Sequence, residues 1–289
     1  MKHFSVVICT YGRHNLIEQC LKNILDNTKI PQKIILIDQN INFLTYNRAL
    51  NFLKKKNYKH YVYIRNLTKK GLTKSKNISL KYVKTKYVFF IDDDILIEKN
   101  FFSKNIELIF KKKAHAVSGV ISNYDNKKFR DFIYNLFNHN IYRDNRFFFK
   151  NYRKLYKRNF QDTFQVPGGI TCYDTKIFKK VLFDEKYITH NYEDVEFNIR
   201  LRKFLKKPKL LINMRSLAYD RLSNNVKQNF NSRIYFMTLL YLKNKSFQNL
   251  IFYLLSLSGF LISCISTIKL KNLINIKTML KKAILKSKN

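Results

Sequence analysis

The sequence predicts an α/β protein in which a mainly parallel sheet is flanked by helices. Short β-branched segments alternate with helical segments over about the first hundred residues, as crossover connections between parallel strands require. Three of these strands end in polar residues, which is typical of the sheet edge where α/β proteins bind ligands. The chain has 289 residues, of which 46% are hydrophobic, so it is long enough to bury a sizeable core.

The individual elements follow in order along the chain. FSVVIC (4–9) is predicted to be a strand, and TYGRHN a turn that leads into a helix. One face of that helix is apolar, and Asn15 and Glu18 have capping-box spacing at its start. The predicted elements that follow are a strand at 33–38, a helix at 46–55, a strand at 60–65, a helix at 72–83 and a strand at 86–91.

The chain is strongly basic. Its 56 Lys and Arg against 19 Asp and Glu give a net charge of +37, which attracts polyanions. Abundant Lys, Asn and Ile with few Gly and Pro also fit the codon bias of an A/T-rich genome. Because the lysines are scattered and form no known motif, we expect no nucleic-acid partner; a basic polyanion-binding (nucleic-acid) protein is the alternative.

Three consecutive aspartates, Asp92, Asp93 and Asp94, directly follow the strand at 86–91. Side chains alternate along an extended segment, so Asp92 and Asp94 are expected to face the same way and Asp93 to turn aside. Neighbouring carboxylates repel each other unless a cation joins them, and carboxylate oxygens suit magnesium and manganese. The triplet therefore indicates a divalent-metal site, and a solvated acidic turn is the alternative.

Several segments together resemble the family 2 glycosyltransferases of the GT-A fold, inverting enzymes that use nucleotide-sugar donors. In chain order these are SVVICTYGR, IILIDQN, GLTKSKNISLKYVKTKYVFFIDDD and GGITCYDTKIFKKVLFDEKYITHNYEDVEFNIRLR, and the likeness runs from Ser5 to Tyr219. The resemblance implies a GT-A Rossmann-like fold and sugar transfer from a nucleotide-diphosphate donor to a glycan or lipid-linked acceptor in surface polysaccharide synthesis. A catalytically inactive relative is an alternative. A sugar nucleotidyltransferase is disfavoured, since TYGRHN is not a Gly-rich phosphate loop.

The resemblance also implies a nucleotide-sugar site. Asp38 matches the aspartate that hydrogen-bonds the base, and Asp92 is expected on the ribose side of the donor. Lys76 stands where the family often has Arg; it keeps the charge but not the planar fork, so a phosphate contact there is open. The full set assigned to this site is Thr10, Tyr11, Arg13, Asp38, Lys76, Asn77, Asp92 and Asp93.

The resemblance assigns catalysis and metal binding to four further acids. Asp194 corresponds to the general base, and Glu193 to a neighbour that binds the acceptor or orients the base. Asp94, the last residue of the DxD element, would ligate manganese or magnesium. Asp220 replaces a His that often completes the metal site, and a surface turn is the alternative. For the acids of YEDVEF, helix capping through the macrodipole is the alternative to catalysis.

The chain is predicted to divide into a GT-A domain at 1–225 and a C-terminal helical extension at 226–289. Within the domain, 1–115 form the nucleotide-sugar half and 116–225 the acceptor half, with an insertion near 124–159. Residues 250–268 are uncharged, so they are a candidate membrane segment; two helices packed on the domain are the alternative. With no secretory segment recognised at the N-terminus, we expect the protein on the cytoplasmic face of the membrane, as a cytoplasmic, peripheral or single-pass protein with the membrane surface as a partner.

Overall fold

The computed structural model describes residues 3–68, 71–123, 159–186, 193–222, 230–243, 245–265, 280–285 and 287. The insertion predicted near 124–159 lies outside these residues except for Asn159. The end of the candidate membrane segment, 266–268, also lies outside them.

A central mixed sheet confirms the predicted α/β class. In the described ranges it has nine strands, in the order β3-β2-β1-β4-β8-β6-β9-β5, with β7 also paired to β9. The first four in this order are mutually parallel, whereas β8 is antiparallel to β4 and β6. The strands are β1 (Phe4–Thr10), β2 (Lys33–Asp38), β3 (Tyr61–Arg65), β4 (Tyr87–Ile91), β5 (Ile95–Ile97), β6 (Ala116–Ile121), β7 (Phe160–Asp162), β8 (Ile170–Asp174) and β9 (Leu210–Asp220).

The helices cover both faces of this sheet. Their bounds are α1 (Ile17–Leu25), α2 (Leu44–Lys55), α3 (Leu72–Leu80), α4 (Phe101–Lys111), α5 (Glu193–Leu205), α6 (Phe230–Lys243) and α7 (Phe247–Ile265). The predicted capping box is wrong: α1 has no side-chain cap, because its entry is a backbone turn in which Leu16 N–H donates to the Arg13 carbonyl. Helix α3 ends before Val83, since the backbone there tightens into three-residue turns, with Tyr82 N–H donating to Ser79 and Val83 N–H to Leu80.

Side-chain alternation along the parallel strands builds two apolar layers. Phe89 of β4 packs on one face with Ile17 of α1 and Phe102 of α4. Phe90, its neighbour, points to the opposite face and contacts a cluster that includes Phe197 of α5. Both Phe89 and Phe90 are buried, as expected for a strand covered on two sides. The second layer therefore fixes α5, and with it the acids at its start, against β4.

In the parts that the structure describes, the C-terminal extension is mainly helical, as predicted. Helices α6 and α7 pack together, and the hydroxyls of Thr238 and Tyr253 are 2.8 Å apart. Their shared apolar cluster includes Val195 of α5, so the extension packs against the helix that carries Glu193 and Asp194. Among the described helices, none combines the length and the apolar character needed to cross a membrane.

Candidate active site

The carboxyl ends of β1, β2 and β4 form one edge of the sheet, where the sequence predicts the site. Thr10 and Asp38, the last residues of β1 and β2, are register partners. Thr10 Oγ1 donates to Asp93 Oδ2 over 2.6 Å, and this buried bond joins the end of β1 to the aspartate triplet after β4. The structure thus brings together Thr10, Asp38 and Asp93, three of the residues assigned to the nucleotide-sugar site.

The aspartate triplet forms a turn instead of continuing the strand. Ile95 N–H donates to the Asp92 carbonyl, which closes the turn. Arg13 Nη1 donates to Asp93 Oδ1 at 2.9 Å and also to Asp94 Oδ2. The expectation that Asp93 turns away from Asp94 is therefore wrong, because strict alternation holds only in an extended chain. Arg13 thus lies at this edge of the sheet beside the acids, and its contact with a nucleotide sugar stays a prediction.

The electrostatics of the triplet favour a cation. Burial raises the pKa of Asp94 to about 7, and the charge of Asp92 adds to that rise, while Arg13 opposes it. Burial likewise raises the pKa of Asp93, against the opposing charge of Arg13. Desolvated carboxylates that repel one another gain most from a positive charge placed between them. Arg13 supplies part of that charge in the structure.

Asp220, the second candidate metal ligand, lies close to Asp94, the first. Arg221 N–H donates to the Asp94 carbonyl at 3.0 Å, Asp220 is the register partner of Ile95, and the Asp220 charge contributes to the raised pKa of Asp94. Oxygen donors of this kind fit magnesium or manganese, whose remaining positions a diphosphate can fill. No cluster of three His, Cys, Asp or Glu suited to a metal occurs in the described ranges, and Asp220 Oδ1 already accepts from Leu222 N–H. Metal ligation by Asp220 stays a prediction.

Asp38 organises the neighbouring loop from inside the protein. It is fully buried; Oδ1 accepts from the backbone and side-chain nitrogens of Asn40 at 2.9 and 2.7 Å, and Oδ2 accepts from the Tyr63 hydroxyl. Asn40 Oδ1 in turn accepts from Gly12 N–H at 2.6 Å, which ties this loop to the turn after β1. In these contacts Asp38 is structural, and its bond to a base stays a prediction. Tyr11, in contrast, is 63% exposed beside this network.

Two residues assigned to the nucleotide-sugar site have interior partners instead. Lys76 is only 1% exposed, because α3 directs its side chain beneath β4. Asn77 Nδ2 donates to the Phe183 carbonyl at 2.9 Å, and its Oδ1 accepts from Phe183 N–H at 3.0 Å. These bonds anchor the 183–185 segment to α3. The burial of Lys76 disfavours a direct contact with the donor, and nucleotide contact by Lys76 or Asn77 stays a prediction.

Glu193 and Asp194 begin α5, where three acids in the first turn face the positive end of the helix dipole. Asp194 Oδ2 accepts from Gly168 N–H at 3.2 Å, and Oδ1 accepts from Val195 N–H at 2.8 Å. Glu193 is 4% exposed, and burial raises its pKa to about 7 although Lys76 opposes the rise. The capping and catalytic interpretations are thus compatible, because both place acids in the first turn of α5, beside the Gly168 turn.

Gly168 and Gly169 form a narrow backbone strip between the aspartate triplet after β4 and the acids at the start of α5. A Cβ on Gly169 would lie 1.9 Å from Asp92 Oδ2, and one on Gly168 would lie 2.9 Å from Glu193 Oε1. Asp92 N–H also donates to the Gly169 carbonyl at 2.9 Å. A side chain at either position would force Asp92 or Glu193 to shift, so the donor-side and base-side carboxylates approach the same strip. Consecutive glycines in a chain with only six Gly were the sequence signal for it.

The family model described as "Glycosyl transferase family 2" matches residues 5–182, more than half of the chain. The chain belongs to this family. This family 2 glycosyltransferase is 26% identical over 121 residues to Glycosyltransferase GlyG of Streptococcus pneumoniae serotype 4, a match that covers 42% of the chain and 40% of GlyG. The family assignment confirms the resemblance that the motifs indicated, and the activity of the whole chain is taken up below as a proposal.

Solved structures share the fold of this family 2 glycosyltransferase. The mannosyltransferase PcManGT from Pyrobaculum calidifontis, in complex with GDP-Man and Mn²⁺, superposes with a TM-score of 0.61 at 12% identity, covering 99% of this chain and 86% of that one. S. aureus TarS 1–349 in complex with UDP-GlcNAc gives a TM-score of 0.61 at 15% identity, covering 98% and 81%. At these identities the likeness shows the GT-A fold alone.

Proposed function

We propose that this family 2 glycosyltransferase is an inverting, metal-dependent enzyme that moves a sugar from a nucleoside-diphosphate donor to a hydroxyl of a glycan or lipid-linked acceptor, in surface polysaccharide synthesis. One observation carries the proposal: the Gly168–Gly169 strip brings donor-side Asp92 and base-side Asp194 to one place. Neighbours of the same fold that were crystallised with GDP-Man and Mn²⁺ or with UDP-GlcNAc support a sugar-nucleotide donor and a divalent metal.

Asp194 is the proposed general base. Inverting transfer needs an acceptor hydroxyl that loses its proton as it attacks the anomeric carbon opposite the leaving diphosphate. Gly168 N–H and Val195 N–H each donate to one carboxylate oxygen of Asp194 and thereby fix the orientation of the group. A base held in this way typically contributes about 10²- to 10⁴-fold in rate.

The departing diphosphate is stabilised at the aspartate triplet. A divalent cation, when bound, supplies Lewis-acid stabilisation of the negative charge on the diphosphate oxygens. Asp94 would hold it, with Asp220 as the second candidate ligand, and carboxylates are the donor type that fits. Arg13, which donates to Asp93 and Asp94, keeps a fixed positive charge at the same edge of the sheet.

Thermal unfolding tests this proposal and selects the donor base. The wild-type chain would be melted with UDP, dTDP, GDP or CMP, each with and without manganese. One nucleotide at about a hundred times its dissociation constant should add about 2.7 kcal/mol of stability, or roughly 5 to 10 °C, and only with the metal. No shift with any of the four would contradict donor binding, and stabilisation by heparin alone would favour the polyanion-binding alternative.

We also propose that the extension docks on an anionic membrane surface, which would place the enzyme on the cytoplasmic face. Helix α7 buries Tyr253 and Ser256 on the side that faces α6. Its opposite side exposes an apolar stripe, Phe247, Ile251, Leu254 and Leu255, in which Phe247 is 80% exposed. Lys245, Lys281 and Lys282 are exposed on the same extension, and the net charge of +37 complements anionic headgroups. Apolar stripes with basic flanks bind such interfaces.

Vesicle flotation checks this docking surface. The wild type should float with phosphatidylcholine vesicles that contain phosphatidylglycerol and should not float with phosphatidylcholine alone. The double variant Phe247→Ser/Leu254→Ser should lose flotation, whereas Phe110→Ser, which changes an exposed aromatic ring on α4, should not. Unchanged flotation of the double variant would show that the apolar stripe does not bind the vesicles. A dimer that only this variant dissociates would assign the stripe to a contact between copies.

A further inference from the structure

A buried ion pair connects the donor half of the molecule to the start of the catalytic helix. Lys76 Nζ donates to Glu193 Oε1 at 3.2 Å and to the Gly168 carbonyl at 3.2 Å. The side chains of Lys76 and Glu193 are 2% and 5% exposed. Lys76 belongs to α3, on the nucleotide side, whereas Glu193 begins α5. The ammonium therefore touches both segments that hold Asp194, the Gly168 turn and the first turn of α5.

The surroundings of this pair leave its geometry little freedom. The Lys76 ammonium lies 5.7 Å from the centre of the Phe90 ring and 5.2 Å from that of Phe183, so aromatic walls enclose it. A Cβ on Gly168 would come within 2.9 Å of Lys76 Nζ. Among the described residues, Glu193 Oε2 has no hydrogen-bond partner although it is buried. Such an atom is costly to leave unbonded, and it marks a place for a polar group of a ligand.

The titratable groups that face the pair come from three elements. Asp92 follows β4, Asp194 lies beside Glu193 on α5, and the Cys9 thiol of β1 faces the ammonium on α3. Burial acts to lower the pKa of Lys76, but the carboxylates of Glu193 and Asp92 raise it above its ordinary value. Lys76 therefore stays charged, and it is a buried cation that opposes the protonation of Glu193.

We propose that Lys76 is a positioning residue for sugar transfer, which holds Glu193 and the Gly168 turn so that Asp194 meets the acceptor hydroxyl. Glu193 Oε2 then accepts a hydrogen bond from a second hydroxyl of the acceptor, which makes the acceptor a polyol such as a glycan. This inference rests on the proposed function, since the position of Asp194 matters only if it acts on an acceptor. It replaces the expectation that Lys76 contacts the donor phosphates.

Three variants separate positioning from donor binding. Lys76→Met removes the ammonium at nearly constant length, and Lys76→Arg keeps a charge. Lys104→Met is the control, because Lys104 Nζ of α4 also donates to one carboxylate, Glu98, and one carbonyl, Arg215, but in a partly exposed pair. The readouts are the nucleotide-and-manganese melting shift and the rate of nucleoside diphosphate release from the sugar donor as a function of pH.

Lys76→Met should keep the wild-type melting shift while its rate falls about a hundredfold, the scale expected for a small misplacement of reacting groups. As the pH is lowered, the rate of Lys76→Met should also begin to fall at a higher pH than the rate of the wild type does. Lys76 lowers the pKa of Glu193, so without the ammonium Glu193 takes up a proton at higher pH. Lys76→Arg should restore much of the rate and the position of that acidic limb, and Lys104→Met should match the wild type in both.

Loss of the melting shift in Lys76→Met would overturn the proposal in favour of donor contact, and an unchanged rate would overturn it outright. If Lys76→Met does not fold, Lys76→Met/Glu193→Gln removes the orphaned charge as well. That double variant should melt near the wild type, keep the nucleotide shift and stay slow; a wild-type rate in it would overturn the proposal. A wild type that neither binds nucleotide nor turns over donor would instead defeat the proposed function.

Discussion

Asp194→Asn is expected to lower the rate of sugar transfer by about 10²- to 10⁴-fold, because it removes the group that takes the acceptor proton. Asparagine keeps the shape of the side chain and one oxygen that can accept a hydrogen bond from Gly168 N–H or Val195 N–H. The loss of stability should therefore be small, about 1 kcal/mol for each hydrogen bond that is lost. The rate is measured as nucleoside diphosphate release with the donor base selected by thermal unfolding.

Two companion variants assign that loss to the proton transfer. Asp194→Glu keeps a carboxylate but shifts it by one methylene, so an intermediate rate is expected. Glu196→Gln removes an acid from the same first turn of α5, where both of its carboxylate oxygens accept from Arg200. If the acids only stabilise the helix start, Glu196→Gln and Asp194→Asn should behave alike. A wild-type rate in Asp194→Asn would remove the base assignment.

Asp94→Asn is expected to abolish the manganese-dependent part of the nucleotide melting shift, about 2.7 kcal/mol at a hundred times the dissociation constant. The reason is the loss of an anionic oxygen ligand from a site in which the diphosphate is held through the metal. Without nucleotide, the variant should melt no lower than the wild type. Burial and Asp92 already disfavour the Asp94 charge, as its raised pKa shows, so neutralising it relieves repulsion.

The matched control for Asp94→Asn is Glu107→Gln. Glu107 is an exposed acid on α4, and its substitution changes the net charge by the same amount. It should retain the full metal-dependent shift. The same two variants at several manganese concentrations separate weaker metal binding from its complete loss. A full shift in Asp94→Asn would show that another group holds the cation and would reopen the role of Asp220.

The local pattern of the sequence was sufficient for the architecture. Apolar runs in β1, β2 and β4 and the apolar face of α1 appear where they were predicted, because period and burial are encoded over a few neighbouring residues. The boundaries of α1 and α3 were less well predicted, since their ends depend on backbone turns that no cap residue signals. The mixed pairing of β8 depends on strands that are distant in sequence.

By itself, the sequence determined the α/β class, because the alternation of strands and helices is a local property. It also placed Asp92 and Asp94 at the end of a buried strand, and the family resemblance nominated Asp194; the roles of these acids stay predictions. Only the tertiary structure decided which charges meet. Lys76 contacts Glu193 across 117 positions of sequence, and Thr10 contacts Asp93 across 83. Whether a lysine reaches a ligand or is buried against a carboxylate depends on the packing of distant elements and the cost of leaving a buried charge unpaired, and neither is written in neighbouring residues.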